Sequence, residues 1–353
     1  MSITTPTSYP LRAVAGFKSD HPGIQIGTYV SSGASDEELQ FLQQLDVGWA
    51  MLIPEDLSQH TAAHYKQFKE RFARYEIQIY RVANHSVHNV EEITLNLPGR
   101  DQKIEEFCTF IHNLGAAGIP YNTYAHMGNG IWNSGHTSGR GGVTARVLDI
   151  RDAHGMWHGK KFAGELTHGR PFSEEEIWDN YEYFIRKVVP VAEEAGVYIG
   201  IHPDDPPVYG LGGVPRCVFG NFEGYKRALE IADSPNIGVC LCVGCWLEGG
   251  EAGMGVDVLE AIRYFGGQNK LFKVHFRNVS NPMPDPWQET FIDDGYMDMH
   301  QVMRALREVE YDGCIIPDHI PAMVGGQNSG LAYSIAYMRA LVQAANNEYG
   351  GPC

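Results

Sequence analysis

Eight short apolar runs, each the length of a β-strand, alternate with segments whose apolar residues recur at helical period, and that rhythm leaves few folds open. The runs occupy residues 24–30, 49–53, 77–83, 119–125, 198–203, 238–244, 272–279 and 314–320. Helix-start signals stand between them. Ser35 followed three residues later by Glu38 predicts a capping box, and "SEEEIWDNYEYFIRKVVPVAEEAG" opens on another. Eight strands alternating with eight helices predict a (β/α)8 TIM barrel, with residues 1–353 in a single domain. The competing architecture is a doubly wound open sheet. It is disfavoured because the turn after the first run, "GTYVSSGAS", lacks the G-x-G-x-x-G of a dinucleotide fold.

One segment breaks the rhythm. Residues 126–171 follow the fourth strand as a long insertion rich in Gly, His, Arg and Trp. A loop of this length in a compact domain is expected to serve as a lid, a binding loop or an oligomer contact, and in a barrel the βα loops form the catalytic face. Trp132 and Trp157 argue against disorder, and a loop-mediated homo-oligomer is the expected assembly.

Charge excludes some partners. With 27 basic and 43 acidic residues the formal net charge is −16, which argues against nucleic acid or an anionic membrane surface. No stretch approaches the ~18 apolar residues of a membrane span, and "MSITTPTSYPLRAVAGF" lacks the pattern of a signal peptide, so a cytoplasmic location is expected. Seven cysteines form no disulfide framework. Cys240, Cys242 and Cys245 crowd into six residues, which in a reducing compartment suggests at most a thiolate ligand.

The chemistry follows from the strand ends. In "GCIIPDHIPAM" a buried run ends on Asp318 and His319, two ionisable groups that need a compensating partner. His202 ends the fifth run, Cys242 lies near the end of the sixth, His275 is in the seventh and Asp318 ends the eighth. A barrel brings these four positions to one mouth, where two imidazoles, a thiolate and a carboxylate make a ligand set for a divalent metal. Taken singly, each has a plainer explanation, a core histidine or, for Cys240, a small core hydrophobe. Their joint placement favours the metal. Arg277, two residues past His275, is expected either to anchor a substrate carboxylate or hydroxyl or to form a salt bridge at the barrel rim, and Asp204 and Asp205 to orient His202 or Arg277 or to cap the turn.

"GIHPDDPP", the Cys-x-Gly of "LCVG", "VHFRNV", "YMDMHQVMRAL" and "PDH" together resemble the mannonate dehydratase family, a branch of the xylose-isomerase-like barrels, from about Tyr198 to Tyr333. The resemblance implies metal ligands at His202, Cys242, His275 and Asp318, an acid/base pair at His319 and Tyr333, and manganese as the metal, with zinc or cobalt able to substitute. It implies a lyase that dehydrates a small-molecule sugar acid through an enediolate. Ile316 and Ile320 stand where the family has Arg and Gly around Pro-Asp-His, and after strand four only Tyr121 and Asn122 echo the family motif, which puts Asn122 at the substrate. Arg140 or Arg146 of the insertion is a candidate replacement for the missing arginine. A sugar isomerase or epimerase, or a keto-glycoside lyase, is the alternative on such a barrel; Cys242 speaks against the isomerases, which favour carboxylate ligands. A non-catalytic sugar-binding relative is the other alternative, disfavoured by His319 and Tyr333 standing beside a full ligand set.

Overall fold

The structure, a computed structural model, describes residues 23–350; the N-terminal stretch read above for a signal peptide lies outside the described residues. All eight apolar runs contribute a strand to one parallel sheet: β1 (Gln25–Ser31), β2 (Trp49–Ile53), β3 (Gln78–Val82), β4 (Tyr121–Tyr124), β5 (Tyr198–Ile201), β6 (Ile237–Cys242), β7 (Leu271–His275) and β8 (Cys314–Ile316). Their order is β3-β2-β1-β8-β7-β6-β5-β4, a nearly closed (β/α)8 barrel. At the seam between β3 and β4 the rings of Tyr80 and Tyr121 stack at 6.1 Å.

The predicted helices form around it. Ser35 Oγ accepts the Glu38 N–H at 3.2 Å while the Glu38 carboxylate accepts the Ser35 N–H at 2.7 Å, so the expected capping box starts Asp36–Gln44. Ser173 and Glu176 repeat it before Glu174–Ala195. Two helices are unexpected, the short Glu91–Thr94 and the one that follows the sixth strand. The sixth run was read as strand through Gly244, but the strand ends at Cys242, which caps Val243–Met254, a segment kinked at Gly250.

The barrel interior is layered. Trp49, Tyr80, Tyr121, Phe272, Cys314 and Ile316 fill its lower part. Small residues opposite make room: a Cβ on Gly200 would lie 2.3 Å from the Tyr121 hydroxyl, and one on Gly27 2.6 Å from Cys314 Sγ. Above this layer the interior turns polar. A register slip between β2 and β3 makes Tyr80 an extra residue, and one between β6 and β7 does the same for Phe272. Arg81 and Lys273, the residues after them, are buried, and the Lys273 amine sits 5.6 Å from the Tyr80 ring centroid.

Between β4 and Glu174–Ala195 the chain folds into five short strands. Ile131–Asn133, His154–Trp157 and Lys160–Phe162 make one antiparallel sheet. His136–Ser138 and Thr144–Leu148 join Trp287–Thr290 and Asn278–Val279, both from the loop after β7, in a second. Strands of three to five residues broken by glycine carry no periodic signature, so the sequence shows only a loop here. Among the described residues no helix is long and apolar enough to cross a membrane.

His126, just past β4, is enclosed by Tyr124, Tyr181, Phe184 and Phe219, and burial pushes its imidazole from 6.5 down to about 3. A histidine held neutral contributes its full stability above the unfolded value of about 6.5 and loses it as pH falls toward 3. His126→Gln is therefore expected to flatten the pH dependence of unfolding free energy across that window, by up to about 1.4 kcal/mol per pH unit. Urea titrations at several pH values measure it; parallel slopes for the two proteins would show that His126 protonates freely in the fold.

Candidate metal centre

The four strand-end residues meet. His202 follows β5, and its Nδ1–H donates to the Pro203 carbonyl at 2.7 Å, which leaves the Nε2 lone pair facing His275 Nδ1 at 3.2 Å. His275 ends β7 and approaches Asp318 Oδ1 at 3.2 Å. Cys242 ends β6, with its sulfur 4.0 Å from Asp318 Oδ2. Asp318 lies beyond β8 in the left-handed region, φ 59°, a turn that carries its carboxylate back over the barrel. The donor atoms of Cys242, His275 and Asp318 lie within 4.8 Å of one another, as do those of His202, Cys242 and Cys245.

The charges suit a cation. Burial alone would raise the Asp318 carboxyl, but His275, His319 and Arg277 hold it well below the usual carboxylate range. Burial would likewise raise the Cys242 thiol; the hydrogen bond from Cys245, the Arg277 charge and the two imidazoles outweigh it. Burial opposes charge on His275, yet Asp318 and Cys240 raise it well above the ordinary histidine value. A proton thus sits among two imidazoles, a thiolate and a carboxylate, where a divalent ion would displace it. The residues present fit such an ion.

Arg277 does not face the substrate. Of its two expected roles, substrate anchor and salt bridge, the contacts match the second: it is 1 % exposed and its guanidinium is committed to protein groups, Nε to Asp318 Oδ2 at 3.1 Å, Nη2 to Glu248 Oε1 at 2.7 Å and to Cys245 Sγ at 3.4 Å. It lies so close under the turn after β6 that a Cβ on Gly244 would be 2.4 Å from it. Its role is to orient Asp318 from behind. Cys240 is also more than a core hydrophobe, since its sulfur is 3.6 Å from His275 Nε2 and backs that ring.

A second guanidinium reaches the cluster from the insertion. Leu148 and Val147 pair with Trp287 and Gln288 in antiparallel register, which sets Arg146 opposite Glu289; Nε to Oε1 is 2.8 Å. Arg146 also meets Asp205 at 3.0 Å and Glu248 at 3.2 Å. Asp205 touches Arg146 and Arg277 rather than His202, and it shares with Glu248 a pocket already filled by guanidinium. Burial and the neighbouring Asp205 push Glu248 up to about 8.

At the mouth, His319 is 41 % exposed, with Nδ1 fixed on Glu289 Oε1 at 2.6 Å and Nε2 3.9 Å from Asp318 Oδ2. Burial would lower its pKa, but Asp318 and Glu289 push it up to about 9. Tyr333, near the start of the helix Gln327–Gly350, packs on Phe291 at 5.5 Å, and its hydroxyl accepts from Arg140 Nη2 at 3.4 Å. Arg140 is held in turn by Asp293 at 2.9 Å. One segment, residues 287–293, therefore serves both His319 and Tyr333.

Asn122 is buried on β4. It is 3 % exposed and lines a cavity of about 80 Å³ with Arg81, His85, His88, Phe107, Phe110 and Trp157. On β4 it is Tyr121 that reaches the barrel interior, so its neighbour Asn122 has the opposite parity. Sequence reasoning also missed Glu248 and Glu289. The signal for Glu289 was an acid inside the short run "WQET"; Glu248 had none.

Comparison with known proteins agrees with this geometry. Residues 60–350 match the family D-mannonate dehydratase (UxuA). A mannonate dehydratase of Streptococcus pneumoniae (strain 70585) is 33% identical over 297 residues, 78% of this chain and 78% of that protein. The crystal structure of mannonate dehydratase from Streptococcus suis serotype 2 superposes with a TM-score of 0.80 at 28% identity, covering 94% of this chain and 96% of the other. A xylose isomerase domain protein from Planctomyces limnophilus shares the fold, with a TM-score of 0.61 at 13% identity over 92% of this chain and 99% of that one. The long parallel-barrel frame, the strand-end cluster and these relatives lead to one assignment: the chain belongs to the D-mannonate dehydratase family, hydro-lyases of sugar acids on a xylose-isomerase-like TIM barrel.

Proposed function

We propose that this protein dehydrates D-mannonate or a closely related sugar acid to a 2-keto-3-deoxy acid, at a divalent metal held by His202, Cys242, His275 and Asp318. The observation that carries this reading is the convergence of those four donors beside an exposed histidine whose far nitrogen is fixed by a carboxylate. Manganese is the proposed metal, and the donor set also accepts zinc or cobalt. A thiolate ligand suits a reducing cytoplasm.

The reaction removes the weakly acidic proton alpha to a carboxylate and expels a hydroxyl from the next carbon. When bound, a divalent cation would stabilise enediolate charge on the substrate and offset Asp318, whose charge favours a proton on His319. With Nδ1 occupied by Glu289, Nε2 is the nitrogen left to take the C2 proton. Burial and Asp293 raise the Tyr333 hydroxyl above its ordinary value, so it keeps a proton to give to the departing hydroxyl. Arg140 orients that hydroxyl. Ile316, at the position where the family carries an arginine, faces the apolar interior layer, and Arg146 brings a cation to the cluster from the insertion instead.

Metal-stripped protein is expected to be inactive on D-mannonate and to form the 2-keto-3-deoxy product when manganese is restored; a product that forms equally well in excess chelator would overturn the metal reading. His319→Asn and Tyr333→Phe are each expected to lower kcat roughly 10²- to 10⁴-fold without loss of bound metal. In D2O, Tyr333→Phe should still exchange the C2 proton and His319→Asn should not; the reverse pattern would exchange their roles. Arg277→Met is expected to weaken metal binding by about 10- to 100-fold, measured by competition with a chelating dye, and unchanged affinity would remove Arg277 from the site's support.

A further inference from the structure

Cys242 has a second sulfur beside it. Cys242-Val-Gly-Cys245 is a Cys-x-x-Cys sequence at the junction of β6 and Val243–Met254. Among the described residues both cysteines are free and fully buried. Cys242, as N-cap, has extended backbone (φ −88°, ψ 105°), and its sulfur accepts the Cys245 N–H at 3.4 Å. The two sulfurs and a nitrogen of His202 lie within 4.8 Å of one another. Rotation of Cys245 about χ1 moves its sulfur among staggered positions around its own Cβ, next to the backbone nitrogen that already touches Cys242. The first sulfur is therefore within reach of the second without a change of fold. Cys240 is not an equivalent partner, because two residues apart on one strand face is too far for a disulfide.

The surroundings favour the reaction. Arg277 Nη2 contacts Cys245 Sγ at 3.4 Å and lies against the turn between the cysteines, so negative charge on either sulfur is stabilised during exchange. Cys242, though buried, is the cysteine on the mouth side: its sulfur and His319 Nε2 both approach Asp318 Oδ2, at 4.0 Å and 3.9 Å, and His319 is exposed. Cys242 is therefore the sulfur that a small oxidant entering past His319 would reach before Cys245.

We infer that Cys242 and Cys245 are a reversible disulfide-forming site through which a hydroperoxide removes the thiolate from the metal centre. The Cys242 thiolate attacks the peroxide oxygen, the O–O bond breaks, and a sulfenic acid and hydroxide result. The Cys245 sulfur then attacks the sulfenic sulfur, forms the S–S bond and expels hydroxide, which leaves as water with the Cys245 proton. Two thiols are oxidised by two electrons and one peroxide is reduced. A disulfide sulfur carries no charge, so only His202, His275 and Asp318 would remain to hold the ion, and a dithiol reductant would restore the fourth. This goes beyond the role of a lone thiolate ligand, and it rests on the proposed assignment of Cys242 to the metal.

The test is made on the purified full chain, with manganese bound and after stripping, exposed to hydrogen peroxide and then to dithiothreitol. Tryptic peptide 228–263 holds Cys240, Cys242 and Cys245 and no internal cleavage site, so mass spectrometry reads the pairing within it. The expected result is a loss of about 2 Da mapped by fragmentation to Cys242 and Cys245, faster in the stripped protein. It should be accompanied by at least a tenfold fall in retained manganese in the loaded one, with both changes reversed by dithiothreitol. In Cys245→Ser the same treatment should instead drive Cys242 to a sulfinic acid, about 32 Da heavier and not reversed. Sulfinic acid on Cys242 of the unaltered chain, with metal lost, would overturn the pairing and leave the ligand assignment standing. A Cys242–Cys245 disulfide with manganese fully retained would overturn the switch and the assignment of Cys242 as ligand together.

Discussion

The carboxylate of Asp318 is the point on which the site depends. It is largely buried, a costly condition for an anion, and it persists because His275 and Arg277 meet its two oxygens at 3.2 Å and 3.1 Å. These partners come from the end of β7 and just beyond, while the left-handed backbone at Asp318 turns the carboxylate from β8 toward them. The same Oδ2 faces Cys242 from β6 and His319 from the mouth. Removing that carboxylate would leave Arg277 among Glu248, Asp205 and Cys245 with its outward partner gone, so the strand-end cluster and its buried support stand or fall together.

Much of the architecture was legible because a parallel barrel imposes a strict relation between order in the chain and position in space. Each strand end lands beside the previous one, so four ionisable or soft residues at successive strand ends could be brought to one mouth by counting alone, and the structure brings His202, Cys242, His275 and Asp318 within reach of one another. Which face a residue occupies was harder to read. Strands buried on both sides lack the polar alternation that marks inside from outside, so Asn122 was assigned to the substrate although its neighbour Tyr121 is the residue that turns inward. For Arg277 the sequence leaves substrate anchor and salt bridge equally open, because its acidic partners lie on other segments. Arg146 and Glu289 are 143 residues apart, and no local pattern announces a pair at that separation.

The interior below the site is built from complementary sizes rather than uniform packing. Glycines at 27 and 200 receive large neighbours, and two extra residues in β3 and β7 let aromatic and basic side chains occupy consecutive positions. Arg81 and Lys273 therefore lie buried between an aromatic floor and an acidic mouth. Their positive charge offsets part of the negative charge gathered above, which this acidic chain would otherwise concentrate at the barrel top.

The backbone pairing between Thr144–Leu148 and Trp287–Thr290 has a consequence for how such a protein can change over time. A ladder of main-chain hydrogen bonds is indifferent to most side-chain identities, so the insertion can drift in sequence while still delivering one residue opposite Glu289. Substitutions can thus accumulate on the faces of that small sheet, one at a time, while Arg146 and Glu289 keep their footing. A chain built this way can vary a large part of its surface without first losing the contacts gathered around Glu289.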